Sequence, residues 1–345
     1  VSTATQYNPN VDLNALLLSV GASKTVYALT NPYVEDIKRS LFQSPAYFAQ
    51  FHEAWTGKQD AAHTSFFKTW IKWSSHMVDF DPDRFPFQYP TAGASEGLRQ
   101  IIFDYATKKA GPKIVHVFAG EYEGYRAYAE AAGLLVLEHP REQWRDVPSV
   151  LARQGGLFFL SQPSAIDGNI WGDCNDFLEQ VTAATGYPSV VLDLTYVGAT
   201  ASTGSVGKIN ATVGCIRNVV FSLSKPFGAY YDRIGGLFSR TEDLGLFGNK
   251  WFKNLTSLQL GTALMEDMSV FYMASQYQST QRQHAQRVGR TLGITLHPSD
   301  VYILATAPGC NDAALDTYLR RPAESGQLRF CLTPGMAQRV GFADA

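Results

Sequence analysis

Between Pro90 and Ser239 the hydrophobic positions switch repeatedly between two periods. Residues 95–109 (SEGLRQIIFDYATKK) set Leu98, Ile101, Ile102 and Tyr105 at helical spacing, and Gly111 with Pro112 ends the pattern. Short apolar runs follow, each bounded by turn formers: IVHVFAG, LLVLEHP, GLFFLSQP, SVVLDLTYVG, NVVFSLSK and RIGGLFSR. Helix-period stretches at 125–132 and 176–185 stand between several of them. Strands this uniformly apolar need cover on both faces, so the pattern predicts an α/β fold, a large domain with a mostly parallel sheet flanked by helices.

The flanks follow other patterns. Residues 1–50 read as helix and loop, and the next forty hold Trp55, Phe66, Phe67, Trp70, Trp73, Phe80, Phe85, Phe87 and Tyr89. Rings at that spacing suit core and interface packing better than a ligand cage. From Thr256 to Gly293 a long helical stretch is expected, leading into an α+β segment that ends near Arg329. The simplest organisation puts the N-terminal part of a small α+β domain and an interface at 1–50, the large domain at 51–270 and the rest of the small domain at 271–345.

Composition adds a constraint. Of 345 residues only 17% are charged, against about a quarter in ordinary soluble domains, so apolar surface must be hidden, and a large subunit interface is one place to hide it. A net charge of −2, from 29 basic and 31 acidic residues, gives no electrostatic pull toward nucleic acid or anionic membranes. No apolar run approaches the ~20 residues of a membrane span, and the start of the chain lacks a basic, then hydrophobic, leader pattern, so a cytoplasmic location is expected. Cys174, Cys215, Cys310 and Cys331 stand far apart without a CxxC pair, which predicts reduced thiols and no metal site.

The candidate chemistry begins at Lys225. It directly follows an apolar strand, where open α/β sheets place their ligands, and a buried ammonium is costly unless paired or neutralised. An amine lowered by burial is suited to a covalent bond with a carbonyl. Asp193 ends another buried run and must face a cation or donors to stay ionised, with Tyr196 three residues on. Gly93, Ala94 and Ser95 form a glycine-bearing loop that opens into a helix, an arrangement that aims free N–H groups at a phosphate.

Assembled in order, these segments resemble the fold-type I pyridoxal-phosphate enzymes, and the aspartate aminotransferase-like class I/II branch in particular. The resemblance spans about residues 90–330 and implies a role for each matched residue. In SLSKPFGAYYDR, Lys225 matches the Schiff-base lysine, and Ser222 and Arg233 match the phosphate-binding serine and arginine. Asp193 in DLTY matches the partner of the pyridine nitrogen, and Tyr196 the tyrosine at the cofactor's phenolic oxygen. The loop Gly93–Ala94–Ser95 matches the phosphate cradle, Tyr122 the ring-stacking aromatic, and Arg329 in LRFCL the grip on the substrate α-carboxylate. The chain departs from the branch in QPSAIDG, where Ala165 replaces the asparagine that usually shares the phenolic oxygen; Asn169 is the nearby candidate to stand in.

What the resemblance implies is an enzyme acting on a free α-amino acid with pyridoxal 5'-phosphate, an aminotransferase in the first place. A lyase or cyclase, performing elimination, replacement or ring closure in the biosynthesis of an unusual amino acid, is the alternative. It also implies a homodimer with shared active sites, for which the aromatic stretch from Trp55 to Tyr89 would supply buried surface, and Asn254, Thr256 and Ser257 are candidates to reach the neighbour's phosphate. His116 and His139 are expected to be hydrogen-bonded structural residues, and Tyr272, Gln276 and Tyr277 a half-buried helix face.

Overall fold

All the apolar runs of the central region are strands of one sheet. The structure is a computed structural model, and it describes residues 9–56, 60–108, 111–251, 254–321 and 326–337. The sheet contains β1 (Phe87–Thr91), β2 (Ile114–Phe118), β3 (Leu135–His139), β4 (Leu157–Ser161), β5 (Val190–Asp193), β6 (Ile216–Ser222) and β7 (Gly235–Ser239). Their spatial order is β1-β7-β6-β5-β4-β2-β3, and only β7 runs against the rest. One strand has no counterpart among the apolar runs. β1, FQYPT, holds Pro90 and lies at the sheet edge, where a residue without an N–H is tolerated and strand patterning is weak.

Alternation along these strands divides the core in two. Val115, Val117, Leu157, Phe159, Val191, Val220 and Leu237 face one side. There they pack against α5 (Ala94–Thr107) and α6 (Glu123–Ala131) through Leu98, Ile101, Ile102, Tyr125 and Ala129. Phe118, Phe158, Leu160, Leu192, Val219, Phe221 and Phe238 face the other side, against α4 (Asp60–Ser74) and α8 (Cys174–Thr185). Sheet and helices thus form three layers with no solvent face on the central strands, which is why those runs are mostly apolar, with His116 and Asn218 as buried polar exceptions.

In the aromatic stretch the structure describes the core packing that was expected of it. Phe66, Phe67, Trp70, Phe85 and Tyr89 are buried within this one chain. Trp70 stacks on Phe221 with centroids 4.3 Å apart, and Phe67 meets Phe238 edge-on at 4.9 Å. These rings are core, not surface awaiting a partner; the side chain of Trp55 lies outside the described residues. The reason is geometric: α4 crosses the sheet face, and its rings fill the space over β6 and β7.

The expected long helix after Thr256 is two helices, α9 (Leu255–Asp267) and α10 (Tyr272–Leu292). The break comes where Met268 turns to extended backbone and Met268 and Val270 both enter the core, 2% and 1% exposed. Beyond α10 a small antiparallel sheet forms from β8 (His297–Pro298), β9 (Leu304–Ala307) and β10 (Leu328–Cys331). The N-terminal segment joins it: Ser23 bridges Cys331, and the Gly21 carbonyl bonds to buried His284 of α10 at 2.7 Å. None of the described helices is long and apolar enough to cross a membrane.

Candidate active site

Strand ends at one edge of the large sheet gather the candidate residues. In register, Ser161 faces Asp193 across β4 and β5, and Ser222 faces Gly235 across β6 and β7, beside Thr91 of β1. Because β7 alone is reversed, its first residue meets the last residues of its neighbours, and the chain converges there from five strands.

Asp193 sits 4% exposed and is held by donors rather than by a cation. The Tyr125 hydroxyl donates to Oδ2 at 2.7 Å, and the Thr195 N–H donates to Oδ1 at 2.9 Å. Burial raises its pKa, and the hydrogen bonds from Thr195 and Tyr125 pull it back. This is a carboxylate prepared for a positive partner and given none by the described residues.

Lys225 follows β6 after a tight turn. Its amine donates to the Val26 carbonyl at 2.6 Å and lies 5.6 Å from the Tyr230 ring centre. Burial lowers its pKa to about 8; Cys331 opposes the fall, and the positive charges of Arg329 and Arg233 add to it. A substantial fraction of such an amine is neutral near pH 8, so it can act as a nucleophile without a separate base. Tyr302 donates its hydroxyl to the Lys225 carbonyl at 3.2 Å and so fixes the backbone beneath the amine.

The cradle is built as follows. Gly93 is the N-cap of α5 at φ 78°, and no side chain caps the first N–H groups of that helix. Arg233 reaches over it, donating to the Ala92 carbonyl at 2.6 Å and to Ser95 Oγ at 3.1 Å. A Cβ on Gly93 would come within 2.9 Å of that guanidinium, so both the positive φ and the close approach require glycine. Arg233 itself takes φ 51°, a left-handed conformation uncommon for a residue with a side chain. Ser222 closes the group, its hydroxyl 3.1 Å from that of Ser224. Free N–H groups, two hydroxyls and a guanidinium together make an anion site.

Arg329, on β10, is 9% exposed and donates to the Ala165 carbonyl, while its Nε is buried without a partner. Its charge is felt at Tyr196 and at Lys225. Tyr196 is pushed up to about 12, chiefly by burial, so it is a hydroxyl donor at neutral pH. Tyr122, 40% exposed, stands edge-on to Tyr125 at 5.4 Å and feels the charge of Asp193.

Four candidates are placed otherwise. Asn169 gives its side-chain carbonyl to the N–H of Asp300 at 3.0 Å, tying this segment to the loop before β9. Asn254 caps α9, Thr256 shares a hydrogen bond with Tyr47 at 2.9 Å, and Ser257 donates to the Asp232 carbonyl at 2.7 Å, so all three are engaged within their own chain.

Sequence reasoning passed over Tyr125, Glu121 and Arg321. Glu121 is buried, with Ser161 donating its hydroxyl to Oε2 at 2.6 Å and its N–H to Oε1 at 3.2 Å. Arg321 holds the same turn from the other side through the carbonyls of Gly120 and Glu121. The signal for Glu121 was present: it is a charged residue directly after the apolar run IVHVFAG, the feature that singles out Lys225. Tyr125 and Arg321 carried no comparable mark, since their partners are distant in sequence. Among the described residues no cluster of three or more His, Cys, Asp or Glu could hold a metal ion.

No protein-family model matches this chain, and no curated protein matches it by sequence. Solved structures do. A putative histidinol-phosphate aminotransferase from Erwinia carotovora atroseptica is 16% identical, covers 91% of each chain and has a TM-score of 0.59. A probable N-succinyldiaminopimelate aminotransferase from Thermus thermophilus is 14% identical over 96% of this chain and 97% of its own, at 0.61. A histidinol-phosphate aminotransferase from Sinorhizobium meliloti, in complex with pyridoxal-5'-phosphate, is 14% identical over 98% of each, at 0.64. The fold is therefore that of the fold-type I aminotransferases, spanning nearly the whole chain, at identities that establish the fold alone.

Proposed function

We propose that this chain is a pyridoxal-phosphate-dependent enzyme acting on a free α-amino acid, and in the first place an aminotransferase. The observation that carries the reading is the convergence on one sheet edge of a neutralisable amine, an uncompensated carboxylate and an anion cradle, at Lys225, Asp193 and Gly93–Ser95–Arg233. The residues fit the cofactor on their own chemistry. The cradle suits a phosphate, Asp193 suits a protonated ring nitrogen, and Tyr196 is a donor for a phenolic oxygen. Tyr122 offers a ring face, and Arg329 has a buried Nε to satisfy. Bound pyridoxal phosphate supplies a ring that takes up the electron pair left when a bond at the substrate Cα breaks.

The protein's part is binding, orientation and proton transfer. Lys225 would carry the cofactor through its amine and, once displaced by the substrate amine, move the proton at Cα. Asp193, whose rise on burial the hydrogen bonds from Thr195 and Tyr125 oppose, would hold the ring proton in place. Arg329 would take the α-carboxylate by a paired hydrogen bond that lysine could not reproduce, and so orient the bond to be broken.

One observation supports the alternative of a lyase or cyclase. Ala165 takes the Ser161 hydroxyl at its N–H and Arg329 at its carbonyl, so the position offers backbone contacts and no side-chain donor to the phenolic oxygen. An amino-acid panel with product mass analysis separates the two: transamination consumes a keto acid, whereas elimination or ring closure proceeds without one.

The decisive test of the shared reading is chemical. Protein loaded with pyridoxal phosphate should be yellow, and borohydride should fix the cofactor to the peptide containing Lys225. Labelling of another lysine, or no colour, would overturn the assignment.

A further inference from the structure

Glu121 is a buried acid for which the reaction as derived above has no use. It lies in the turn between β2 and α6, 6% exposed, and both its oxygens accept from Ser161 at the end of β4. Ser161 is the register partner of Asp193, so the strand end that seats Glu121 lies beside the one that carries Asp193. Tyr125 feels both: it donates to Asp193 Oδ2 and is raised by the charge of Glu121. No described ion pair neutralises Glu121. Arg321 is spent on the carbonyls of Gly120 and Glu121 and on Glu123, and Arg141 is paired with Asp167 at 2.6 Å.

We propose that Glu121 is a positioning residue that acts through Asp193: its carboxyl, seated on Ser161, takes up or releases the proton that sets how strongly Asp193 holds a cofactor's ring nitrogen. The proposal rests on the pyridoxal-phosphate reading above. Two carboxyls buried at the same end of the sheet cannot both ionise freely, and the one with the stronger donors keeps its charge. Each has three: the Tyr125 hydroxyl and the Thr195 N–H and hydroxyl for Asp193, and the Ser161 N–H and hydroxyl with a long contact of 3.4 Å from the Tyr122 N–H for Glu121. That weaker third donor makes Glu121 the member that takes up a proton near neutral pH. Burial raises it to about 7, with the Asp193 charge pushing the same way and Ser161 and Arg141 opposing. The other ionisable groups around it are Tyr122, Glu123 and Tyr125 on or before α6, Cys174 of α8, and Arg321.

The same chain of contacts runs on to the substrate arginine. Ser161 Oγ also accepts the Ala165 N–H at 2.6 Å, and the Ala165 carbonyl accepts Arg329. Ionisation of Glu121 is therefore communicated to Asp193 by charge and to Arg329 through one serine.

The test follows the absorbance of bound pyridoxal phosphate across pH 5–9 in the loaded wild-type protein and in Glu121→Gln. Glutamine keeps the seat, with Oε1 accepting the Ser161 N–H and the amide donating to Ser161 Oγ, but cannot ionise. Above about pH 7, where Glu121 has released its proton, its negative charge favours the protonated cofactor, so the cofactor transition on that side of neutrality should have its midpoint about one pH unit lower in the variant. A variant that binds cofactor with an unchanged midpoint overturns the proposal. Infrared pH-difference spectra of the two proteins without cofactor give a second readout. The wild-type protein should show a protonated-carboxyl band lost around neutral pH that Glu121→Gln lacks, over and above the one that buried Asp243 contributes in both, and identical carboxyl bands would also overturn the proposal. Failure of the wild-type protein to bind pyridoxal phosphate would instead refute the reading on which the proposal rests, while the carboxyl band still reports on Glu121.

Discussion

Tyr125 shows how a single side chain maintains a site. Its hydroxyl is fully buried and its partner, Asp193, is 68 residues away, so the bond exists only after the sheet has formed. Hydrogen bonds to a buried charge are worth more than those between neutral groups, and losing one leaves the acceptor undersolvated. Tyr125→Phe should cost about 1–3 kcal/mol of stability at neutral pH, measured by urea unfolding. The deficit should shrink as the pH is lowered and Asp193 takes a proton, because a neutral carboxyl needs the donor less. The same logic sets Arg233 apart from an ordinary strand-loop arginine, since its left-handed backbone is maintained by a guanidinium that already spans Ala92 and Ser95.

Among the elements, the pair β2 and β3 carries a built-in sensitivity to acid. His116 Nε2 faces the Gly155 carbonyl at 2.9 Å, which can only accept, so that nitrogen bears the proton and Nδ1 accepts from His139 Nε2 at 3.0 Å. Both rings are thus neutral in the folded protein, as hydrogen-bonded structural residues. Burial lowers both, His139 to about 4 with His116 adding to the fall. The unfolded chain binds protons near pH 6.5 that the folded chain refuses until about 4, so this stabilisation is present above 6.5 and is lost as the pH falls toward 4. His139→Phe should reduce the acid dependence of the unfolding free energy between those limits, and an unchanged slope would contradict the arrangement. Elements differ in how openly they are written. Central strands were legible because burial on both faces makes them mostly apolar, whereas β1 was hidden by Pro90 and its edge position. The division between α9 and α10 was invisible because Met268 and Val270 fit a helical pattern as well as they fit the core.

Across the chain as a unit, part of the shortage of charge is accounted for within one subunit. A sheet covered on both faces, with α4 laying rings over β6 and β7, buries much of the apolar surplus, while Phe48, Tyr231, Leu244 and Phe247 stay exposed on the single chain. Trp70→Ala should lower stability by about 3–5 kcal/mol, the cost of a large buried aromatic. The sedimentation behaviour of the folded protein should stay the same; a change in oligomeric state would return these rings to an interface.

Local pattern was enough for the α/β class, the strands of the central sheet and the residues at their ends, because each rests on short-range periodicity or on a charged residue placed where burial would punish it. Lys225 and Asp193 could be found in that way, and Glu121 could have been. Contacts between distant segments were not recoverable, because nothing in the local sequence encodes a partner 40 to 199 residues away. Folding alone brought Tyr125 to Asp193, Val26 to Lys225, Arg329 to Ala165 and Ser161 to Glu121. The burial that folding brings, with those neighbours, sets where Asp193, Lys225 and Glu121 titrate, since environment rather than residue type governs a buried acid or amine.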